Sequence, residues 1–268
     1  MSADESLITS STNPLVTKIR KLATRKGRKE FGQSFVEGIA VVHQAVASGV
    51  ELDTIVVAPK LLESDDARAT IDTAREHGVS IRNLDASLFR RLSDRDNPSG
   101  IGAVVAPRAA ALEEISLEGK PVVVLVDGVS SPGNLGTIAR TADAVGARGL
   151  IVTGTSTDPW DPASIKASMG TLFELPVSVL ASATQAIDWA RAGDVPVIAT
   201  SARAESSIHD ADIHPPAMLM FGSERHGLDR SVLERSDMQL RIPLRGHASS
   251  LNLAVAAGIF LYELTRPA

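Results

Sequence analysis

The chain has 268 residues, 44% of them hydrophobic, enough to bury one large or two modest cores, and two domains are expected. It contains no cysteine, which excludes disulfides, iron–sulfur clusters, thiolate zinc sites and a cysteine nucleophile; its histidines (His43, His77, His209, His214, His226, His247) show no HExxH spacing, so no metal is expected. A net charge of −5 argues against a nucleic-acid binder that uses its whole surface, and with no long apolar run and a polar start from Met1 to Thr12 the expectation is a cytoplasmic protein with no membrane partner.

Taken in chain order, the first feature is a basic stretch. Lys18, Arg20, Lys21, Arg25, Lys26, Arg28 and Lys29 occur without an acidic residue among them, while Leu15, Val16, Ile19, Leu22 and Ala23 recur at helical spacing. This predicts a helix with one packed face and one basic face, the latter either solvated or in contact with RNA. From Phe35 to Ala106 short β-type runs alternate with helical ones: strands at Ser34 to Val36, Thr54 to Val57, Val79 to Asn83 and Ile101 to Ala106, helices through Ala40 to Ala47 and near Ala67 to His77. The turn-rich segment Phe89 to Gly100 carries Arg90, Arg91 and Arg95, and reads as an exposed loop or a second RNA contact.

Pro107 to Lys120 reads as a connector, giving an N-terminal domain over 1–108, a linker over 109–120 and a second α/β domain over 121–268. In that second domain Pro121 to Val126 is a continuous apolar run, as expected of a strand buried on both faces of a parallel sheet. Similar runs follow at Gly149 to Thr153, Leu175 to Leu180, Val195 to Thr200, Ala217 to Phe221 and Met238 to Ile242, mostly separated by helical segments, so the sheet should be parallel and helix-covered.

The usual nucleotide and hydrolase signatures are absent: no GxxxxGK[ST], no GxGxxG between strand and helix, no GxSxG. Three other segments carry chemistry. Ser131-Pro132-Gly133-Asn134-Leu135-Gly136 through Arg140 follows a strand and starts a helix, where open α/β sheets bind ligands; alone, it is equally a capped helix with a surface arginine. Gly222-Ser223-Glu224-Arg225-His226-Gly227 ends another strand, marking a tight turn or a close ligand contact. Ile242-Pro243-Leu244-Arg245-Gly246 runs on to Ser250-Leu251-Asn252 and a small-residue helix, which caps and packs, or binds.

Together and in this order the three segments resemble the motifs of the SpoU (TrmH-like) branch of the SPOUT RNA methyltransferases: NxGxxxR, a GxExxG loop, and IPxxG followed by SLN. The match runs without gaps across roughly Val122 to Leu264, and Phe35-Val36-Glu37-Gly38 with its flanks is similar to the family's N-terminal RNA-binding extension. The resemblance implies an α/β SPOUT domain with a parallel sheet and deep trefoil knot, an obligate homodimer, and S-adenosylmethionine as cofactor. It places cofactor contacts on Thr200, Gly222, Ser223, Ile242, Leu244 and Leu251, and catalytic or RNA-positioning roles on Asn134, Arg140, Glu224, Ser250 and Asn252. The reaction it implies is methylation of a ribose 2′-hydroxyl in structured RNA, 23S-type rRNA before tRNA, with no DNA partner; housekeeping and antibiotic-resistance roles are both open. A guanidinium is hard to deprotonate, so Arg140 is expected to grip phosphate rather than act as a base. The competing readings are base methylation, a non-catalytic RNA-binding assembly factor on the same fold, and a small-molecule methyltransferase; the basic stretch and the arginine-rich loop speak against the last.

Overall fold

The computed structural model describes residues 6–266. The described residues form two compact units: one holds residues 6–108 together with Trp160–Glu174, the other holds Ala109–Pro159 and residues 175–266.

The first unit begins with α1 (Pro14–Leu22) and α2 (Arg25–Phe31), where the sequence predicts a single basic helix. Thr24 makes the break: its backbone is extended, and its hydroxyl accepts from Gly27 N at 3.1 Å, capping α2. The two helices then fold so tightly that a Cβ on Gly27 would lie 2.0 Å from the Lys21 carbonyl oxygen. Arg28 is turned inward by this fold. It is only 5% exposed, its Nη1 donates to the Leu22 and Ala23 carbonyls, and its Nη2 donates to Asp161 at 2.7 Å. Arg28 therefore has to be removed from the RNA-facing set, a correction that comes from a partner 133 residues away.

Next come β1 (Ser34–Glu37), α3 (Ile39–Ser48), β2 (Glu51–Val57), α4 (Asp65–Glu76), β3 (Ser80–Asn83), α5 (Ala86–Leu92) and β4 (Ile101–Ala106). The strands form a four-stranded sheet in the order β1-β4-β2-β3, with β4 antiparallel to both neighbours and β2 parallel to β3. Val16, Ile19 and Leu22 of α1 pack with Phe35, Val56, Leu88, Phe89 and Val104 into its core. The expected loop from Phe89 is in part α5, so Arg90 and Arg91 sit in a last helical turn and Arg95 in the following loop.

The second unit continues with β5 (Val122–Asp127), α6 (Pro132–Ala144) and β6 (Gly149–Thr153). The next helix, α7 (Pro162–Ala167), lies in the segment that groups with the first unit, where the sequence reading placed it in the second domain. Asp161 explains the difference, since it caps α7 and also pairs with Arg28. The second unit resumes with β7 (Val177–Val179), α8 (Ala183–Ala192), β8 (Val197–Thr200), β9 (Ser206–Ser207), β10 (Ala217–Phe221), α9 (Arg230–Leu233), β11 (Met238–Arg241) and α10 (Leu253–Leu264). Its seven strands run in the order β7-β6-β5-β10-β8-β11-β9 and every pairing is parallel. Burial of β5, β6 and β10 on both faces accounts for their unbroken apolar runs. The connector contributes as well: Leu112 and Ile115 are buried in this unit's core, and Ala110 N donates to the Val177 carbonyl. α10 packs on α6 and anchors to the sheet through Phe260, whose ring meets Phe221 edge-on at 6.0 Å.

Candidate active site

All three motifs lie at the carboxyl ends of parallel strands, the position where an open α/β sheet presents loops and helix N-termini to a ligand. Motif one follows β5: Ser131 caps α6 by accepting from Asn134 N, and Pro132 occupies the first helical position. Motif two follows β10 as a closed loop, in which Ser223 N donates to the Gly227 carbonyl at 3.1 Å and Gly227 N donates back to Ser223 at 2.9 Å. Both glycines are required by geometry. A Cβ on Gly222 would lie 2.0 Å from the Gly227 carbonyl carbon, and Gly227 has φ +71°. Motif three follows β11 and ends at Asn252, which caps α10 by accepting from Ala254 N and Val255 N.

Side chains join the three motifs. The Glu224 carboxylate accepts from Ser130 N, Ser130 Oγ, Ser131 N and, at 2.9 Å, Asn134 Nδ2. Asn134 Oδ1 in turn accepts from Asn252 Nδ2 at 3.1 Å. Partial burial pushes the Glu224 carboxyl up, but the hydrogen bonds from Asn134, from its own loop backbone and from the Ser130 and Ser131 amides outweigh it, and the pKa falls to about 2. Glu224 is thus ionised at neutral pH and is a poor proton acceptor.

Arg140 lies outside this network. It is exposed six residues beyond Asn134 on α6, and its side chain makes no hydrogen bond or ion pair among the described residues. Ser250 is likewise exposed and unbonded. Ser223 directs its hydroxyl inward, accepting from His226 N at 3.1 Å within the loop.

The remaining residues assigned to the cofactor line the ends of three adjacent strands. Thr200 closes β8 and donates to the Met220 carbonyl at 2.9 Å, Gly222 follows β10, and Ile242 follows β11. Residues 243–251 make no hydrogen bond with the described residues, so their backbone donors and acceptors are open to a ligand. Leu244 is an exposed large hydrophobe in this same segment, and Ile242 and Leu251 are half-buried. Apolar side chains flanking free amides and carbonyls suit a purine nucleoside, whose faces are apolar and whose edges form hydrogen bonds, so these residues fit S-adenosylmethionine.

Among the cations of the first unit, Lys18 pairs with Asp53 at 3.2 Å and Lys21 with Glu30 at 3.7 Å, and both ammonium groups sit over the exposed Phe31 ring. Arg20, Arg25, Lys26, Lys29, Arg90 and Arg91 are exposed. The sequence reading missed two features here: the segment 160–174 and the acid at Glu37. The Phe-Val-Glu-Gly stretch was the one signal available for the second.

Comparison with known proteins agrees with this geometry. Residues 121–262 match the SpoU rRNA Methylase family and residues 13–103 match the MRM3-like substrate binding domain. A 23S rRNA (uridine(2479)-2′-O)-methyltransferase of Streptomyces viridochromogenes is 34% identical, covering 91% of this chain and 86% of its own. The 23S rRNA (guanosine(2553)-2′-O)-methyltransferase RlmP of Bacillus subtilis is 30% identical, over 96% of this chain and 98% of its own. Among solved structures, an AdoMet-bound rRNA methyltransferase from Sinorhizobium meliloti superposes with a TM-score of 0.86 at 34% identity, covering 96% of each chain.

Proposed function

The chain belongs to the SpoU rRNA methylase family, and from that premise we propose that it methylates a ribose 2′-hydroxyl of 23S-type rRNA with S-adenosylmethionine as the methyl donor. The observation that carries this reading is the Glu224–Asn134–Asn252 chain of hydrogen bonds, one residue from each motif, beside the ends of β8, β10 and β11. Support also comes from the relatives that act on 23S rRNA, from the AdoMet held by the Sinorhizobium meliloti structure, and from the substrate-binding match of the N-terminal unit.

S-adenosylmethionine brings a methyl group already activated on a sulfonium, so the protein's task is alignment and charge control. Ile242, Leu244 and Leu251 would flank the nucleoside and backbone groups of residues 243–251 would bond its edges, while Gly222 keeps the neighbouring loop closed. Thr200 ties the end of β8 to that of β10. Glu224 orders motif two against α6, and Asn134, with donor and acceptor both committed, transmits that order to Asn252. A ribose hydroxyl is a weak acid, and its oxygen gains negative charge as its proton passes to solvent water. The exposed Arg140 guanidinium grips phosphate and stabilises that charge, and Ser250, also exposed, offers a hydroxyl to the substrate.

We further propose that the C-terminal segment is threaded as a trefoil knot, that the protein works in the cytoplasm and that it acts as a homodimer. The last rests on α10, where Val255, Ile259 and Tyr262 form an exposed apolar stripe at helical spacing. No helix among the described residues is long and apolar enough to cross a membrane.

The test is transfer of labelled methyl to rRNA from a strain lacking this gene, followed by digestion to nucleosides. Label on a 2′-O-methylnucleoside of 23S rRNA is expected; label on a base or on tRNA overturns the substrate assignment, and no transfer to any RNA favours an assembly factor. Arg140→Ala is expected to abolish transfer and leave cofactor affinity within about twofold by calorimetry; normal turnover would remove Arg140 from the site.

A further inference from the structure

Phe35-Val36-Glu37-Gly38 stands out in the sequence, yet the methyl-transfer site leaves it without a role. In the N-terminal unit Phe35, Val36 and Glu37 line a cavity of about 420 Å³, formed by α1, β1, α3, α5, the Arg95 loop and α7. Cavities of this order accommodate small organic ligands. Its floor is apolar, with Phe35, Val36 and Val41 buried beneath it.

Charge is unevenly arranged around that floor. Arg20, Arg91, Arg95 and Lys166 face the cavity alongside Glu37, Asp94 and Asp161. Asp161 is already paired with the buried Arg28, which leaves four cations against two carboxylates. Arg91, Arg95 and Lys166 form no ion pair within 4 Å among the described residues. The Arg95 guanidinium lies over Gly38, where a Cβ would come within 2.8 Å of its Nη2, so glycine leaves room for it.

Glu37 is held rather than free. Ser93 Oγ donates to its Oε1 at 2.7 Å and accepts from Arg95 N at 3.0 Å, which fixes the carboxylate and the arginine loop together. Its Oε2 makes no hydrogen bond among the described residues and remains a strong acceptor. A fixed carboxylate at the edge of an apolar floor selects a planar group with adjacent N–H donors. Of the four RNA bases, guanine has two such donors side by side, N1–H and N2–H. Adenine and cytosine set a donor beside an acceptor, and uracil sets one donor between two acceptors.

We propose that this cavity receives one unstacked guanosine nucleotide of the RNA, its base edge read by Glu37 and its phosphate met by Arg91, Arg95 and Lys166. The site rests on the reading of the chain as an RNA methyltransferase. It deepens that reading by giving the substrate-binding unit one base-selective contact in addition to those made with the reacting ribose.

The experiment uses the full chain with labelled Ile and Val methyl groups, titrated with guanosine, adenosine, cytidine and uridine 5′-monophosphates and with inorganic phosphate. Saturable shifts of the Ile19, Val36 and Val41 methyls are expected with the guanosine nucleotide, at least tenfold tighter than with the other three. Glu37→Gln should erase that preference, while Lys166→Ala, at an exposed position, should weaken all four nucleotides alike. A response no larger than that to phosphate would reduce the cavity to an anion site, and equal responses to guanosine and adenosine nucleotides would remove Glu37 as the reader. Either result overturns the proposal. The methyltransferase reading is judged separately, because base-selective binding without methyl transfer refutes that reading alone, and transfer without such binding refutes this one alone.

Discussion

Glu224 is the residue on which the three motifs converge, and its ionisation gives a pH signature. Its carboxyl titrates near 2 in the folded chain against an ordinary 4.5, so the contribution it makes to folding is fully present above about pH 4.5 and is lost as pH falls toward 2. The thermal midpoint of the native protein should therefore exceed that of Glu224→Gln at neutral pH, and the gap should close progressively below pH 4.5. A gap that persisted at pH 2 would mean that the carboxylate is not what holds the loop. Because Glu224 is already ionised, it contributes no limb to the activity profile between pH 5 and 8. Gly222 makes a second test at this scale. A methyl group there collides with the Gly227–Leu228 backbone, so Gly222→Ala must open the motif-two loop. Cofactor affinity is expected to fall at least tenfold, about 1.4 kcal/mol, by calorimetry. Residue types at the turns were legible in the sequence because a positive φ and a close backbone approach each demand glycine. The Asn134–Asn252 bond was not, since the two residues are 118 apart and only the fold brings them together.

Among the elements, the basic stretch shows how periodicity misleads. Its apolar residues run on at helical spacing through Ala23, but Thr24 competes for the backbone as a cap and splits the segment into α1 and α2. Composition could not show that one of the seven cations would turn inward toward an aspartate from the 160–174 segment. The parallel strands were the most legible elements, because burial on both faces leaves an unbroken apolar run; β9, two serines long, leaves no such trace. The split of α1 from α2 separates two kinds of substitution. Arg28→Ala leaves Asp161 without its partner in a partly buried site and should cost about 3 kcal/mol in urea unfolding, with α7 the first element affected. Arg25→Glu with Lys26→Glu, both exposed, should leave stability within about 0.5 kcal/mol. The same pair should lower the slope of log affinity for rRNA against log salt by about 2. An unchanged slope would mean that α2 meets no phosphate.

At the scale of the whole molecule, the division of the chain does not follow its composition. A proline-bounded, alanine-rich connector reads as a hinge, yet Leu112 and Ile115 commit it to the second core. In the opposite sense, Trp160–Glu174 leaves the second unit's sequence to complete the first. Both follow from single apolar or charged side chains whose partners are distant in sequence. The last helix raises the remaining question of assembly. Ala257, Phe260, Leu261 and Leu264 of α10 are buried in the second unit, which leaves Val255, Ile259 and Tyr262 at 53%, 37% and 72% exposure on another face. A stripe of large apolar groups on an otherwise anchored helix gains free energy by meeting a second copy of itself across a twofold axis. The proposed homodimer thus predicts that the native chain sediments at twice its own mass, and that Ile259→Glu sediments as a monomer with its thermal midpoint lowered by no more than a few degrees. If the active site is assembled with the partner's help, that monomer should retain the fold and lose methyl transfer. A monomer that still methylated RNA at the native rate would confine the whole reaction to one chain.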